Sequence, residues 1–170
     1  MPILTTIFRH PDANPQGTTV ERQAVRGIII QGTQILLLYS PVASEYKFPG
    51  GGVDAGETLE AALGREILEE CGARLTRVVR EIGSIVEYDH AKEPEFETFK
   101  MTSHHFLCEV DAFVAPQALE GYEVRLAFQP VWVGLDEALA LNKSRLELPD
   151  PSPWFAREIF TLEYVRDNLM

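Results

Sequence analysis

The chain has 170 residues, with 15 Lys and Arg against 26 Asp and Glu, a formal charge of −11 with histidine neutral. This balance excludes the clustered basic footprint that neutralises nucleic-acid phosphates, so a nucleic-acid partner is not expected and a polyanion is met through a bound cation. With 45% hydrophobic and 24% charged residues the composition is that of one globular domain spanning 1–170, and no apolar run approaches the roughly 18 residues of a membrane span.

The opening MPILTTIFRHPDANPQG carries charge and prolines where a signal peptide needs an apolar stretch, so a cytoplasmic placement is expected. Residues 1–21 read as an initial strand or loop wrapping the domain. The runs RQAVRGIII and QILLLYS are rich in branched apolar residues and are joined by Gly32-Thr33, which predicts a hairpin of two buried strands in one sheet. A proline and four glycines make YKFPGGGVDAGE (46–57) a loop. TLEAALGREILEECG (58–72) follows with helical spacing, since Leu59, Leu63, Ile67 and Cys71 recur every four residues.

RLTRVVREIGSIVEYDH (74–90) and FKMTSHHFLCEV (99–110) predict two longer strands around the charged loop AKEPEFE. APQALEG (115–121) is a loop, YEVRLAF and VWVGL are short strands, and Asp136 is the expected N-cap of a short helix through Leu141. A final helix over about 152–169 is expected to be capped by Ser152, with Pro153 at its first helical position. Its stripe of Phe155, Ile159, Leu162, Val165 and Leu169 packs on the domain or, alternatively, forms a homodimer interface. Cys71 and Cys108 are far apart and form no metal-binding pattern, which makes them small core residues.

The chemistry is concentrated in residues 51–73, which hold six acids and one base. On a helix, Glu66, Glu69 and Glu70 fall within an arc of about 100° and form one anionic patch. Glu69 and Glu70 precede Gly72, the expected residue just past the helix end, where the dipole disfavours anions. Arg65 offsets part of this through Glu69, leaving an uncompensated cost of about 1–2 kcal/mol that a divalent cation would reverse. Carboxylate oxygens suit Mg²⁺ or Mn²⁺. Gly50, Gly51 and Gly52 allow a tight turn and close approach of backbone to a ligand.

Gly51, then five residues, Glu57, then seven, then Arg65-Glu66-Ile67-Leu68-Glu69-Glu70-Cys71-Gly72-Ala73 resembles the Nudix box, with only Ala73 smaller than the usual aliphatic. RQAVRGIII, FPGGG and VWVGLDEAL also resemble the family. The resemblance implies an α/β fold, an α/β/α sandwich with a mixed β-sheet, and Mg²⁺-dependent hydrolysis of a nucleoside diphosphate linked to another group. It implies that Glu69 and Glu70 are metal ligands, that Glu66 is a further ligand or the general base, and that Arg65 orients a glutamate. Glu57 becomes a ligand or its supporting partner, and Gly51 shapes the loop into the helix. Members often add an acid before the late Trp-containing strand, for which Glu123 is the first candidate here and Glu120 the second. A metal-bound water would then attack phosphorus.

His104 and His105 are adjacent in a strand and point to opposite faces. Phe48, Tyr88, Phe106 and Trp132 could stack on a nucleobase, with Phe48 and Tyr88 the preferred substrate contacts. A tyrosine at about this distance beyond the box resembles members acting on dinucleoside polyphosphates, and a proline found in many ADP-ribose hydrolases is absent there. The alternative is a Nudix-fold nucleotide sensor without catalysis, for which lost glutamates are expected, and none is lost. An isomerase would need a further acid/base pair and a cysteine that cannot be placed, and a cap hydrolase a basic RNA path that this composition disfavours.

Overall fold

Alternation of apolar side chains along a central strand organises the molecule. In strand β4 (Gln34–Ser40), Ile35 and Leu37 face one apolar cluster and Leu36 and Leu38 face another, all 0–1% exposed. The first cluster is closed by helices α3 (Leu135–Leu146) and α4 (Phe155–Asn168), through Ala138, Leu139, Ile159, Leu162 and Val165. The second is closed by helix α1 (Leu59–Cys71), through Ala62, Leu63, Ile67 and Cys71. Strand layers with helices on both sides make an α/β/α sandwich. These observations come from a computed structural model, which describes residues 1–170 except 112, 120 and 148–150.

The remaining elements are β1 (Ile3–Phe8), β2 (Thr19–Ile28), β3 (Ile30–Gln31), β5 (Glu45–Lys47), β6 (Leu75–His90), β7 (Thr98–Val110), α2 (Tyr122–Leu126) and β8 (Gln129–Gly134). One sheet is mixed, in the order β1-β6-β7-β2, with β1 parallel to β6 and β2 parallel to β7, while β6 and β7 form the long antiparallel hairpin. The other is antiparallel, with β3, β5 and β8 all paired to β4.

Four expectations are corrected. The two buried strands around Gly32-Thr33 do not share a sheet: β2 pairs with β7 and ends at Ile28, and only the two-residue β3 forms the hairpin with β4. Apolar runs report burial and not partners, so the change of sheet at Ile29 is invisible to pattern. YEVRL is a five-residue helix, bracketed by Gly121 and Ala127 at φ +52° each, with Ser40 Oγ donating to Leu126 O at 2.6 Å. The helix placed at Asp136 starts at Leu135, because β8 runs directly into it, with Gly134 at the cap position and no side-chain cap. The last helix starts at Phe155 with Trp154 at the cap, because Ser152 Oγ donates instead to Glu45 Oε2 at 2.8 Å. Its apolar stripe faces the core: Phe155, Ile159, Leu162 and Val165 are buried and Leu169 packs against the same cluster.

Candidate active site

The glycine-rich segment is not a free loop but an added edge along β2. Val25 N–H donates to Gly51 O at 2.9 Å, Gly27 N–H to Pro49 O at 2.8 Å, and Val53 N–H to Gln23 O at 3.0 Å. The glycines answer different needs. Gly50 has φ +136°, and a Cβ there would strike Val25 O. A Cβ on Gly51 would lie 2.5 Å from both carboxylate oxygens of Glu66. Gly52 has nothing within 4 Å. Arg26 also donates to Gly50 O from inside the fold.

Helix α1 follows with definite ends. Thr58 Oγ1 accepts from Ala61 N–H at 3.2 Å, and Gly72 closes the helix at φ +64° with its N–H on Leu68 O. The last-turn carbonyls are met by residues 114–118. Val114 and Ala115 N–H bond Gly72 O at 2.7 and 3.1 Å, Ala118 N–H bonds Glu69 O at 2.8 Å, and Gln117 Nε2 bonds Glu70 O at 2.6 Å. These donors satisfy the carbonyls that a helix end leaves without partners.

Two cations of the chain hold the acids. Arg65 donates twice to Glu57, at 3.0 and 2.9 Å, and also to Glu66 at 2.7 Å and Glu69 at 3.2 Å. Lys47 Nζ lies 2.6 Å from Glu70 Oε1, 3.3 Å from Glu123 Oε1 and 3.1 Å from the Tyr122 hydroxyl. Glu70 Oε2 accepts from Gly50 N–H at 2.5 Å. The charge repulsion expected to lack compensation is therefore largely compensated, by Arg65 and by a lysine on β5. Five carboxylates (57, 66, 69, 70, 123) against two cations (47, 65) still leave a formal surplus of three negative charges.

Arg65 holds the Glu57 carboxyl below its ordinary range. Burial pushes Glu66 up against the opposing pull of Arg65. Burial also raises Glu70, with Glu123 adding to the rise and Lys47 opposing it. The ammonium and amide donors at 2.6 and 2.5 Å nonetheless serve the ionised form of Glu70.

Gly51, Gly52, Glu66, Glu69, Tyr122 and Glu123 line one groove of about 370 Å³. The donor set fits a hard divalent cation, being all oxygen and anionic, and the 70/123 pair already receives a positive charge from Lys47. As they stand, no three acids among the described residues converge closely enough to hold a metal ion. Glu66, Glu69 and Glu70 are the residues that would hold one, with Glu123 beside them.

The structure brings Glu57, Arg65, Glu66, Glu69, Glu70, Glu123, Gly51 and Gly52 together, while Glu120 lies outside the described residues. It does not bring the aromatics. Phe48 is 1% exposed in the core and has no face for a ligand. Tyr88 stacks on Phe8 at 5.5 Å on the face of β6 opposite Glu87 and is not part of the groove. Phe106 is core, and Trp132 lines a separate cavity.

Sequence reasoning missed Lys47, Tyr122 and the support from α4. Glu158 Oε2 accepts from Phe48 N–H at 2.7 Å, ahead of the glycine turn, and Arg157 ties Glu158 to the buried Glu87. The one signal for Lys47 was a lone base just before an acid-rich segment.

A family model described as NUDIX domain matches residues 20–155. The RNA pyrophosphohydrolase of a Sulfurovum species is 33% identical over 84 residues, 46% of this chain and 54% of that protein. That of a Nitratiruptor species is 39% identical over 54 residues, 32% of this chain and 35% of that protein. The chain thus matches about half of the first curated relative and about a third of the second. Among solved structures, a Nudix hydrolase from Nitrosomonas europaea superposes with TM-score 0.53 at 21% identity, covering 82% of this chain and 91% of that one. An ADP compounds hydrolase does so with TM-score 0.52 at 24% identity, covering 86% and 71%. These two show a shared fold. With the box residues gathered on one groove and the family match spanning most of its length, the chain belongs to the Nudix family.

Proposed function

We propose that this protein is a Mg²⁺- or Mn²⁺-dependent pyrophosphohydrolase acting on a nucleoside diphosphate linked to another group, a small-molecule nucleotide substrate. The observation that carries the reading is the Glu66 carboxylate, packed against Gly51 and held by Arg65, which Glu57 orients in turn. The relatives named RNA pyrophosphohydrolase and the structural neighbour named ADP compounds hydrolase support phosphoanhydride chemistry. A cytoplasmic setting suits such a substrate, and no helix among the described residues is long and apolar enough to cross a membrane.

A divalent cation on Glu66, Glu69 and Glu70 would neutralise charge at phosphorus and acidify a water. The chain's own residues do the rest. Arg65 fixes the Glu66 carboxylate, which would either complete the cation's ligand set or, left free of the cation, accept the proton of the attacking water, the role that its burial favours. Lys47 and Gly50 N–H hold Glu70 against the turn, and Glu123 adds negative charge at the groove. A sensor without turnover is the second reading, favoured by one observation: Glu57, Glu66, Glu69 and Glu70 each already have a cationic partner in the chain. Turnover by the wild type with Mg²⁺ separates the two, and Glu66→Gln then tests the role of that residue. A hydrolase loses turnover by orders of magnitude with its melting temperature kept, whereas unchanged turnover in this variant removes Glu66 from the mechanism.

A further inference from the structure

A second cavity, of about 250 Å³, lies outside the groove and is lined by Arg9, Arg22, Lys92 and Phe99 together with the acids Asp89 and Glu93. Its three fixed cations against two acids give a formal +1 in a chain of −11. These cations are not fully engaged. Arg9 Nε lies 3.0 Å from Glu87, but Glu87 is shared with Arg157. Arg22 meets Glu93 only at 3.6 Å, and Lys92 has no ion pair among the described residues. Arg9 also lies over the Phe99 ring at 5.8 Å, so one guanidinium is held in place beside an aromatic face.

The cavity and the groove share no lining residue but are flanked by the same elements. Arg22, Ala24 and Arg26 share one face of β2, with Ala24 paired to Gly52 and Arg26 donating to Gly50 O. Arg22 is thus two residues, about 7 Å, from the glycine turn. On the other side Tyr122, which lines the groove, packs against Trp154 at 5.7 Å, and the next residue, Pro153, lines the cavity.

We propose that this cavity binds a second phosphate-bearing unit of the substrate, the part attached beyond the nucleoside diphosphate that the groove takes. Arginine forks and a lysine suit phosphate oxygens, and Phe99 offers a face to a base. The inference rests on the hydrolase reading above and names the kind of substrate it prefers: one long enough to reach both places. That chemistry is shared by a dinucleoside polyphosphate and by the triphosphorylated end of a short oligonucleotide.

The test measures binding by calorimetry with Ca²⁺ as the divalent cation, under conditions where no hydrolysis is detected, for wild type and the double variant Arg22→Glu/Lys92→Glu, both exposed positions. The probes are ADP, diadenosine tetraphosphate and a 5′-triphosphorylated trinucleotide. The variant is expected to weaken one or both longer probes by roughly tenfold or more, the loss of about one charge-assisted contact, with ADP within about twofold. Loss with the tetraphosphate alone assigns a compact dinucleotide, and loss with the trinucleotide alone assigns an oligonucleotide end.

Equal weakening of ADP, no change with any probe, or a wild type that binds neither longer probe more tightly than ADP overturns the proposal. If charge reversal prevents folding, Arg22→Gln/Lys92→Gln carries the same comparison. Hydrolysis by wild type with Mg²⁺ is read separately. Absent hydrolysis with the binding difference intact counts against the hydrolase reading, and hydrolysis without the binding difference counts against the cavity.

Discussion

Gly51→Ala isolates the geometry of the site from its charge. The methyl group would lie 2.5 Å from Oε1 and Oε2 of Glu66 and 2.6 Å from its Cδ, against the 3.4 Å or more of an ordinary contact. The carboxylate must therefore retreat by about 1 Å, which breaks its 2.7 Å bond from Arg65. Gly51 does not use a positive φ, and what must move is the end of a flexible side chain. The fold then loses little, while a misplacement of about 1 Å at a catalytic group costs about 100-fold in rate. Gly52→Ala is the matched control, with no atom within 4 Å of its added methyl. Steady-state hydrolysis and thermal melting on both variants read the difference. A Gly51→Ala enzyme at wild-type kcat, or a Gly52→Ala enzyme equally impaired, would refute the argument that Glu66 packed on this glycine is the working part.

Three other outcomes are expected. Glu70→Gln leaves buried Lys47 without its close anionic partner and should cost about 3–5 kcal/mol by chemical denaturation, far more than Glu66→Gln; equal stabilities would contradict the ion pair. His105 is buried between Ser103 O and Thr161 Oγ1, and burial, with Arg157 and Arg26 nearby, drops its pKa to about 3. The unfolded chain takes up a proton below about pH 6.5 that the folded core refuses, so stability falls as pH drops from there towards 3. Between pH 7 and 5 the wild type should lose about 2 kcal/mol more than His105→Gln, and parallel pH curves would show that His105 is not the source. Glu158→Ala releases Phe48 N–H and one partner of Arg157, and should lower both melting temperature and kcat, whereas a melting change with kcat intact would show that α4 does not steady the glycine turn.

What could be read in the sequence was local. The stripe Leu63, Ile67 and Cys71, the closing Gly72 and the spacing of Glu66, Glu69 and Glu70 are all set within a few turns of one helix, and all are found where the pattern puts them. Glu123 lies 53 positions beyond Glu70, yet both reach Lys47, so the outside acid expected from the family resemblance reaches the groove. What could not be read was set by partners distant in the chain. Lys47 carries no periodic signal, because its role comes from a side chain that reaches Glu70 on α1 and Glu123 on α2. The pattern around Tyr122 reads as a strand, whereas its place on the groove depends on a five-residue helix that follows Gly121 and on contact with Trp154. Phe48 and Tyr88 lie near the box in sequence, but Phe48 is packed in the core cluster closed by α3 and α4 and Tyr88 stacks on Phe8 from β6, so neither lines the groove.

The most direct measurement is nucleotide and phosphate release by the wild-type protein, with Mg²⁺, with Mn²⁺ and with EDTA. The panel is nucleoside triphosphates, ADP-ribose, nucleotide sugars, dinucleoside polyphosphates and triphosphorylated oligonucleotides. The account predicts turnover of at least one of these with metal and none with EDTA, since the acids of the groove carry a formal surplus of three negative charges against their own cations. Turnover that persists in EDTA, or a protein that neither binds Mg²⁺ or Mn²⁺ nor turns over any of these compounds, would contradict it.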